Sequence, residues 1–389
     1  MPVPPGPWPY PFALLRLALR MLFGDRTKYI TLVLGLAFAA LLMNQQGAIF
    51  LGLLRQATGP LQNVTQPDLW VVDPDTPWVA EYRSLSDQKL NRVRSVAGVA
   101  WAEPFFNGIA VCELASGTFK RVQILGIART TLAGRPPEMI EGRLEDLWMP
   151  DAIVVEKKSM VLLGNAKVGD VIKINDRRAV IVGVCKARMG FEGNATIYTT
   201  FDNAVQFTPV GRERISYILV KAKDGFDLQT VKASIDALGD VRAFTSEEFS
   251  QRSKHFIMVA TGIGINFGIT ILLGFVVGLL LSASIFYQFT IENLRHFAVL
   301  KAMGARTPTL LAMITLQALT VGTIGYGIGA GVAGVFALAA AKAESELQVL
   351  FPWQLLVGSF IATIFTIMLG SIISLRRVAT VSPGTVFAS

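Results

Sequence analysis

The sequence predicts an integral membrane protein: four transmembrane α-helices, with one α+β extracytoplasmic domain inserted between helices 1 and 2. Three observations predict it. Of the 389 residues, 52% are hydrophobic and 16% charged, and the mean hydropathy is +0.49, too apolar for an ordinary soluble enzyme. Four stretches are long and apolar enough to cross a bilayer, which takes about 20 residues of helix. Basic residues collect in alternate connecting segments, the pattern that fixes a membrane protein's orientation.

Residues 2–11 are proline-rich and read as unstructured. From Pro11 to Phe23 an apolar run carries Arg16 and Arg20 one turn apart, which predicts a helix lying in the cytoplasmic interface within a 1–28 N-terminal segment. The first span is 29–54; it is long for a signal peptide and lacks a small-residue cleavage site, so it reads as a retained anchor. The domain follows at 55–255. A C-terminal membrane part, 256–389, holds spans at 256–289, 310–341 and 355–375, a loop at 290–309 and a tail at 376–389. As one helix, 256–289 would reach about 50 Å against a hydrocarbon core of about 30 Å, and the surplus reads as tilt or as a stalk.

Orientation follows from charge. Arg16, Arg20, Arg26 and Lys28 precede the first span; Arg295, Lys301 and Arg306 lie between the second and third; Arg376 and Arg377 follow the fourth. Lys342, in the loop between the third and fourth, is offset by Glu344 and Glu346. These basic segments share one side only if both termini are cytoplasmic, which puts residues 58–250 outside. That stretch is nearly neutral, with 23 Lys/Arg against 24 Asp/Glu, so the net charge of +8 lies beside the spans. No arginine-rich arm with interleaved aromatics occurs, which argues against nucleic acid.

Within the domain, short β-rich runs alternate with turn signals: Leu69–Val72, Val122–Leu125, Ala152–Val155, Val171–Ile174, Ala179–Val182 and Tyr217–Val220. Ser86–Val96 and Leu228–Leu238 have helical spacing, so an α+β domain of two lobes is expected. Chemistry is sparse. The two histidines, His255 and His296, are far apart, which removes a histidine metal cluster and weighs against a Ser-His-Asp triad. Gly164–Gly169 has the glycine spacing of a phosphate loop, but Asp170 stands where lysine is required, so it reads as a turn between strands. No Walker A sequence is present, and the chain is expected to be non-catalytic, with no cofactor of its own. Cys112 and Cys185 read as small buried hydrophobes, although an extracytoplasmic domain would permit a disulfide.

The spans hold only neutral polar groups, Asn44–Gln46, Asn266 and Gln317, which argues against an ion-coupled relay. Asn44 reads as an interhelical hydrogen-bonding group, with a cavity lining as the alternative. Gly274 with Gly278, Gly325 with Gly329, and Gly327 with Gly331 make Gly-x-x-x-Gly pairs, which permit close helix packing within the chain or across a dimer. In the loop, Glu292, Asn293, Leu294, Arg295, His296, Phe297, Leu300, Lys301, Met303 and Gly304 read as a short helix. Glu292 can pair with Arg295 or His296, Gly304 supplies the stop, and Thr307-Pro308 starts the third span. Phe297, Leu300 and Met303 share a face suited to docking on a cytoplasmic partner, or to an ordinary juxtamembrane helix.

This loop resembles the segment of FtsX/MacB/LolC-type (type VII) ABC transporter permeases, where a Glu- and Arg-containing stretch runs into Leu-Lys/Arg-Ala-x-Gly-Ala. The tail Ser374–Phe387, with Arg376, Arg377 and Pro383, is similar to that family's ending. Glu141–Arg143, Asp151–Glu156, Val168–Asp170 and Val180–Val184 resemble the MacB-like periplasmic domain. Asn44–Leu53 and Asp68–Val72 resemble the DevC-like branch. His296 and Phe297 depart from the charged and small residues commoner there.

The resemblance implies a homodimeric permease in a bacterial inner membrane, with the loop as coupling helix to a separate ATPase that binds ATP and Mg. Mechanotransmission would move the periplasmic domain and extrude a lipid, glycolipid, peptide or other amphiphile, with membrane lipids, a periplasmic adaptor and a TolC-like outer-membrane channel as partners. The alternative it carries is an FtsX-like signal transducer that regulates a periplasmic partner without transport. A receptor without ATP is disfavoured by the lack of a cytoplasmic signalling domain, and a membrane enzyme by the lack of catalytic groups.

Overall fold

The computed structural model describes residues 11–24, 26–114, 116–208, 215–342 and 348–380. The proline-rich start, the acidic residues Glu344 and Glu346, and the end of the tail including Pro383 lie outside the described residues. In chain order the elements begin with α1 (Pro11–Gly24), α2 (Arg26–Ala57) and α3 (Gly59–Asn63). Then come β1 (Leu69–Val72), α4 (Asp87–Arg94), β2 (Val99–Glu113), β3 (Phe119–Ile127) and β4 (Glu138–Glu141), followed by β5 (Ala152–Glu156) and α5 (Lys157–Leu162). Next are β6 (Val171–Ile174), β7 (Arg177–Lys186), β8 (Ala195–Thr200), α6 (Phe201–Phe207), β9 (Tyr217–Ala222), α7 (Leu228–Asp236) and β10 (Arg242–Phe244). The chain continues through α8 (Ser246–Val259), α9 (Ile263–Glu292), α10 (Leu294–Ala302), α11 (Thr307–Lys342) and α12 (Trp353–Thr380).

Two compact units result. One is built from residues 52–264; the other holds α1, α2 up to Leu51, and the helices from Ile265 onward. Among the described residues, four helices are long and apolar enough to cross a membrane: Tyr29–Ala57, Ile263–Glu292, Thr307–Ala341 and Trp353–Ile372.

In the first unit the strands run in the order β10-β1-β9-β2-β3-β8-β5-β7-β4, with β6 paired to β2 and β7. β2 makes the two-lobe organisation. Its first half pairs antiparallel with β9 (Ala102 opposite Val220, Phe105 opposite Tyr217), and its second half pairs with β3 (Phe106 opposite Gly126, Glu113 opposite Phe119). Each half carries its own core. One is packed by Ile124, Ile153, Val155, Ile181 and Ile197; another, under α4 and α7, holds Leu69, Val93, Ile218, Val231 and Ile235. A buried apolar side chain contributes about 1.5–3 kcal/mol, so these layers are the main source of the unit's stability.

A third cluster is aromatic and centres on Trp70. Its ring meets Phe105 and Tyr217 edge-on, with centroids 5.8 and 5.5 Å away, and its Nε1 donates to Ser246 Oγ at 3.1 Å. Through this cluster α8 is fixed to the sheet. Thr245 and Glu248 close a capping box at its start, Phe249 is fully buried, Val79 N donates to Ser253 Oγ at 3.2 Å, and Arg252 donates to Thr76 O.

Two readings change, and a third, that of the cysteines as buried hydrophobes, holds. The stretch 256–289 is not one helix: α8 ends at Val259, Gly262 adopts φ +72°, and α9 starts at Ile263. A side chain disfavours that conformation, which is why glycine sits at the joint. Gly164–Gly169 is a turn as expected, but it joins the end of α5 to β6, with Lys167 N donating to Asp170 Oδ2 at 2.7 Å. Cys112 and Cys185 are free and fully buried, each in a different core cluster.

Candidate functional site

Between Thr290 and Ala305 the chain leaves α9 and forms the short helix α10. α9 ends at Glu292, whose Oε1 accepts from Gln288 Nε2 at 3.2 Å, one turn before it. Asn293 interrupts the helix, and its Nδ2 donates to Phe289 O at 2.9 Å. α10 then stops on a Schellman motif. Gly304, at φ +97°, donates to Lys301 O at 3.1 Å, and Ala305 N donates to Leu300 O at 2.9 Å.

The apolar face of α10 points inward. Phe297 is fully buried and Leu300 is 8% exposed; they pack with Ala18 of α1 and with Leu310, Met313 and Ile314 of α11. Gln317, buried on α11, donates through Nε2 to Ala18 O at 2.8 Å, which clamps α1 beside the same cluster. The expected docking face of Phe297, Leu300 and Met303 is therefore divided. Its first two members anchor α10 to its own chain, and Met303 alone stays open at 58% exposure. The surface of α10 that faces outward is Arg295, His296 and Val299, continued by Met303 at its C-cap.

The glycines divide as well. A Cβ on Gly325 would lie 2.9 Å from Leu36 Cβ, and one on Gly329 would lie 2.9 Å from Ala40 Cβ and from Leu41 N. One on Gly278 would meet Ala39 Cβ at 3.0 Å, and one on Gly274 would meet Leu42 and Met43. All four glycines let α9 and α11 approach α2 within one chain. A Cβ on Gly327, Gly331 or Gly334 meets nothing within 4 Å, so these three lie on an open face of α11. α2, α11 and α12 share a buried polar cluster. Ser359 Oγ donates to Asn44 Oδ1 at 2.8 Å and lies 3.1 Å from Tyr326 Oη, which donates to Leu356 O at 2.6 Å. Asn44 is thus an interhelical link, since an unmet amide would cost several kcal/mol in lipid.

No group of His, Cys, Asp or Glu among the described residues could hold a metal ion. A pocket of about 110 Å³ in the first unit is lined by Tyr82, Asn107, Gln123 and Glu192, with Gln123 Nε2 donating to Asn107 Oδ1 at 2.9 Å.

Residues 30–238 match the MacB-like periplasmic core domain, and residues 267–383 match the FtsX-like permease C-terminal domain. The chain belongs to the MacB/FtsX family of ABC transporter permeases. An uncharacterized ABC transporter permease of Methanocaldococcus jannaschii is 27% identical over 219 residues, covering 53% of this chain and 53% of that protein. One from Mycobacterium tuberculosis is 28% identical over 262 residues, covering 64% of this chain and 65% of that protein. The chain thus spans between half and two thirds of the length of these relatives. The macrolide export ATP-binding/permease protein MacB of Escherichia coli is 21% identical, covering 68% of this chain and 43% of that protein. Among solved structures, the periplasmic region of MacB from Actinobacillus actinomycetemcomitans aligns at 14% identity with a TM-score of 0.40, covering 49% of this chain and 94% of that one.

In the MacB/FtsX frame, the periplasmic-type domain lies between the first transmembrane helix and the other three, as the spans predict. The stripe on α10 had a signal in the sequence, the Arg295, Val299 and Met303 spacing, but nothing there told the outward face from the inward one.

Proposed function

We propose that this chain is the permease subunit of an ABC exporter that works by mechanotransmission. A separate ATPase, which binds ATP and Mg, engages α10 from the cytoplasm; the permease itself performs no catalysis and holds no cofactor. Its strokes pass along α9 and α8 to the periplasmic domain, whose motion extrudes a lipid, glycolipid, peptide or other amphiphile. The observation that carries this reading is a continuous path of chain. α8 is fixed to the Trp70 cluster at one end and passes, through the joint at Gly262, into α9, which ends at the α10 stripe.

The rest of the assembly belongs to the same proposal. Two copies form a homodimer, and Gly331 with the open apolar face of α11 suits that contact better than Gly325 and Gly329 do. Both termini are cytoplasmic and the membrane is the bacterial inner membrane. A periplasmic adaptor and a TolC-like channel complete the route in a DevC-like arrangement.

The topology is tested first. A cysteine replacing the exposed Lys120 should react with a membrane-impermeant thiol reagent in intact spheroplasts, because the two native thiols are buried. Protection of that cysteine would overturn the external placement.

A further inference from the structure

The first charged residue after Lys28 is Arg55, 27 residues along the unbroken helix α2. At about 1.5 Å per residue the two are about 40 Å apart, close to the full thickness of a bilayer with its headgroups. Arg55 therefore sits at the far headgroup level, the end of a span where basic residues are not favoured by the positive-inside rule.

A second arginine is brought to it. Gly59, one turn beyond Arg55, lets the 187–190 loop approach so closely that a Cβ there would lie 2.6 Å from Met189 O and 3.4 Å from Arg188 Cβ. Asn63, buried, locks the loop in place. Its Nδ2 donates to Arg188 O at 2.7 Å and its Oδ1 accepts from Arg188 N at 2.8 Å. The Arg188 side chain takes no part in that lock. Partial burial and the neighbouring Arg55 charge hold the Arg188 guanidinium below its usual range. Nine ion pairs stud the described residues from Asp68 to Glu248, yet neither of these arginines is in one.

Gly59 thus brings the Arg188 backbone to within one turn of Arg55, and neither arginine is paired with a carboxylate among the described residues, so an anion shared by the two would relieve their repulsion. Their planar forks match phosphate oxygens in pairs. We infer that Arg55 and Arg188 form a binding site for the phosphate of a lipid-type headgroup at the outer membrane surface, gripping it between the last turn of α2 and the 187–190 loop. The site is independent of the ATPase, and its test contains none.

The test uses the full chain purified in an uncharged maltoside detergent, with phosphatidylglycerol titrated in and retained lipid counted by native mass spectrometry. The comparison is with Arg55→Gln, Arg188→Gln and the control Arg83→Gln, whose arginine has a partner in Asp75. Each of the first two should weaken lipid retention about tenfold or more, as expected for loss of a charge-assisted hydrogen bond, while the control retains it. An added arm with inorganic phosphate tells the sources apart. Retention unchanged by phosphate means that the lipid headgroup is the ligand, whereas displacement that requires both arginines means that a free phosphate anion suffices. Equal retention in wild type and both variants, or equal loss in the control, overturns the proposal. Unchanged thermal midpoints in all variants show that the comparison is between folded proteins.

Discussion

The divided face of α10 gives the sharpest prediction, because binding and folding separate on one short helix. Phe297 is fully buried, so Phe297→Ala should cost about 3–5 kcal/mol of stability through the cavity left against Ala18, Leu310 and Ile314. Val299 and Met303 are 37% and 58% exposed, so Val299→Asp and Met303→Asp should cost within about 0.5 kcal/mol. At an interface centre, the same aspartates would cost about 2 kcal/mol or more, a loss of about 30-fold in affinity for the ATPase. The assay pairs a thermal midpoint in detergent with quantitative co-purification of the ATPase. The expected pattern is crossed: Phe297→Ala melts early, and Val299→Asp with Met303→Asp melts normally but fails to hold the partner. Val299→Asp and Met303→Asp variants that retain the ATPase at wild-type levels would refute the assignment of the outward stripe.

Two further outcomes follow from burial. Gly329→Ala should lower the thermal midpoint, since a Cβ pressed on Ala40 and Leu41 costs about 1–3 kcal/mol, more than the roughly 1 kcal/mol that alanine gains in a helix. Gly331→Ala, with open space, should leave the midpoint unchanged or raise it, and equal effects at the two sites would contradict the helix packing. The thiols set an alkaline limit. Burial, with Glu113 nearby, pushes Cys112 from 9.0 up to about 11, and burial with Glu156 raises Cys185 further. A folded pKa above the unfolded value gives stability that is full below about pH 9 and lost as pH rises toward 11. Denaturation between those values should therefore be shallower in a Cys112→Ala, Cys185→Ala protein.

Short apolar runs made most strands legible: β1 and β6 lie where the pattern placed them, and β3, β5, β7 and β9 extend runs already visible. β2, the strand that joins the lobes, was hidden because it carries no unbroken apolar run: Pro104 and the Asn107-Gly108 pair, residue types that disfavour strands, fall inside it. In the sheet Pro104 is simply opposite Ile218, and Gly108 opposite Ile124. The joint at Gly262 was hidden for the opposite reason, since apolar residues continue on both sides and a single glycine gives a weak stop. The glycine spacings announced close packing but not the partner, which required the position of α2. Likewise the apolar face of α10 was legible, but its neighbours Ala18 and Ile314 come from distant sequence, so its burial was not.

The relay itself is tested most directly by pulsed electron paramagnetic resonance between spin labels on Lys120→Cys in the two copies of the assembled, ATPase-bound dimer. The buried native thiols leave that site alone to be labelled. Trapping the ATPase with vanadate should shift the label-to-label distance relative to the nucleotide-free state. A distribution unchanged by nucleotide, while the ATPase hydrolyses ATP at full rate, would contradict transmission from α10 to the periplasmic domain.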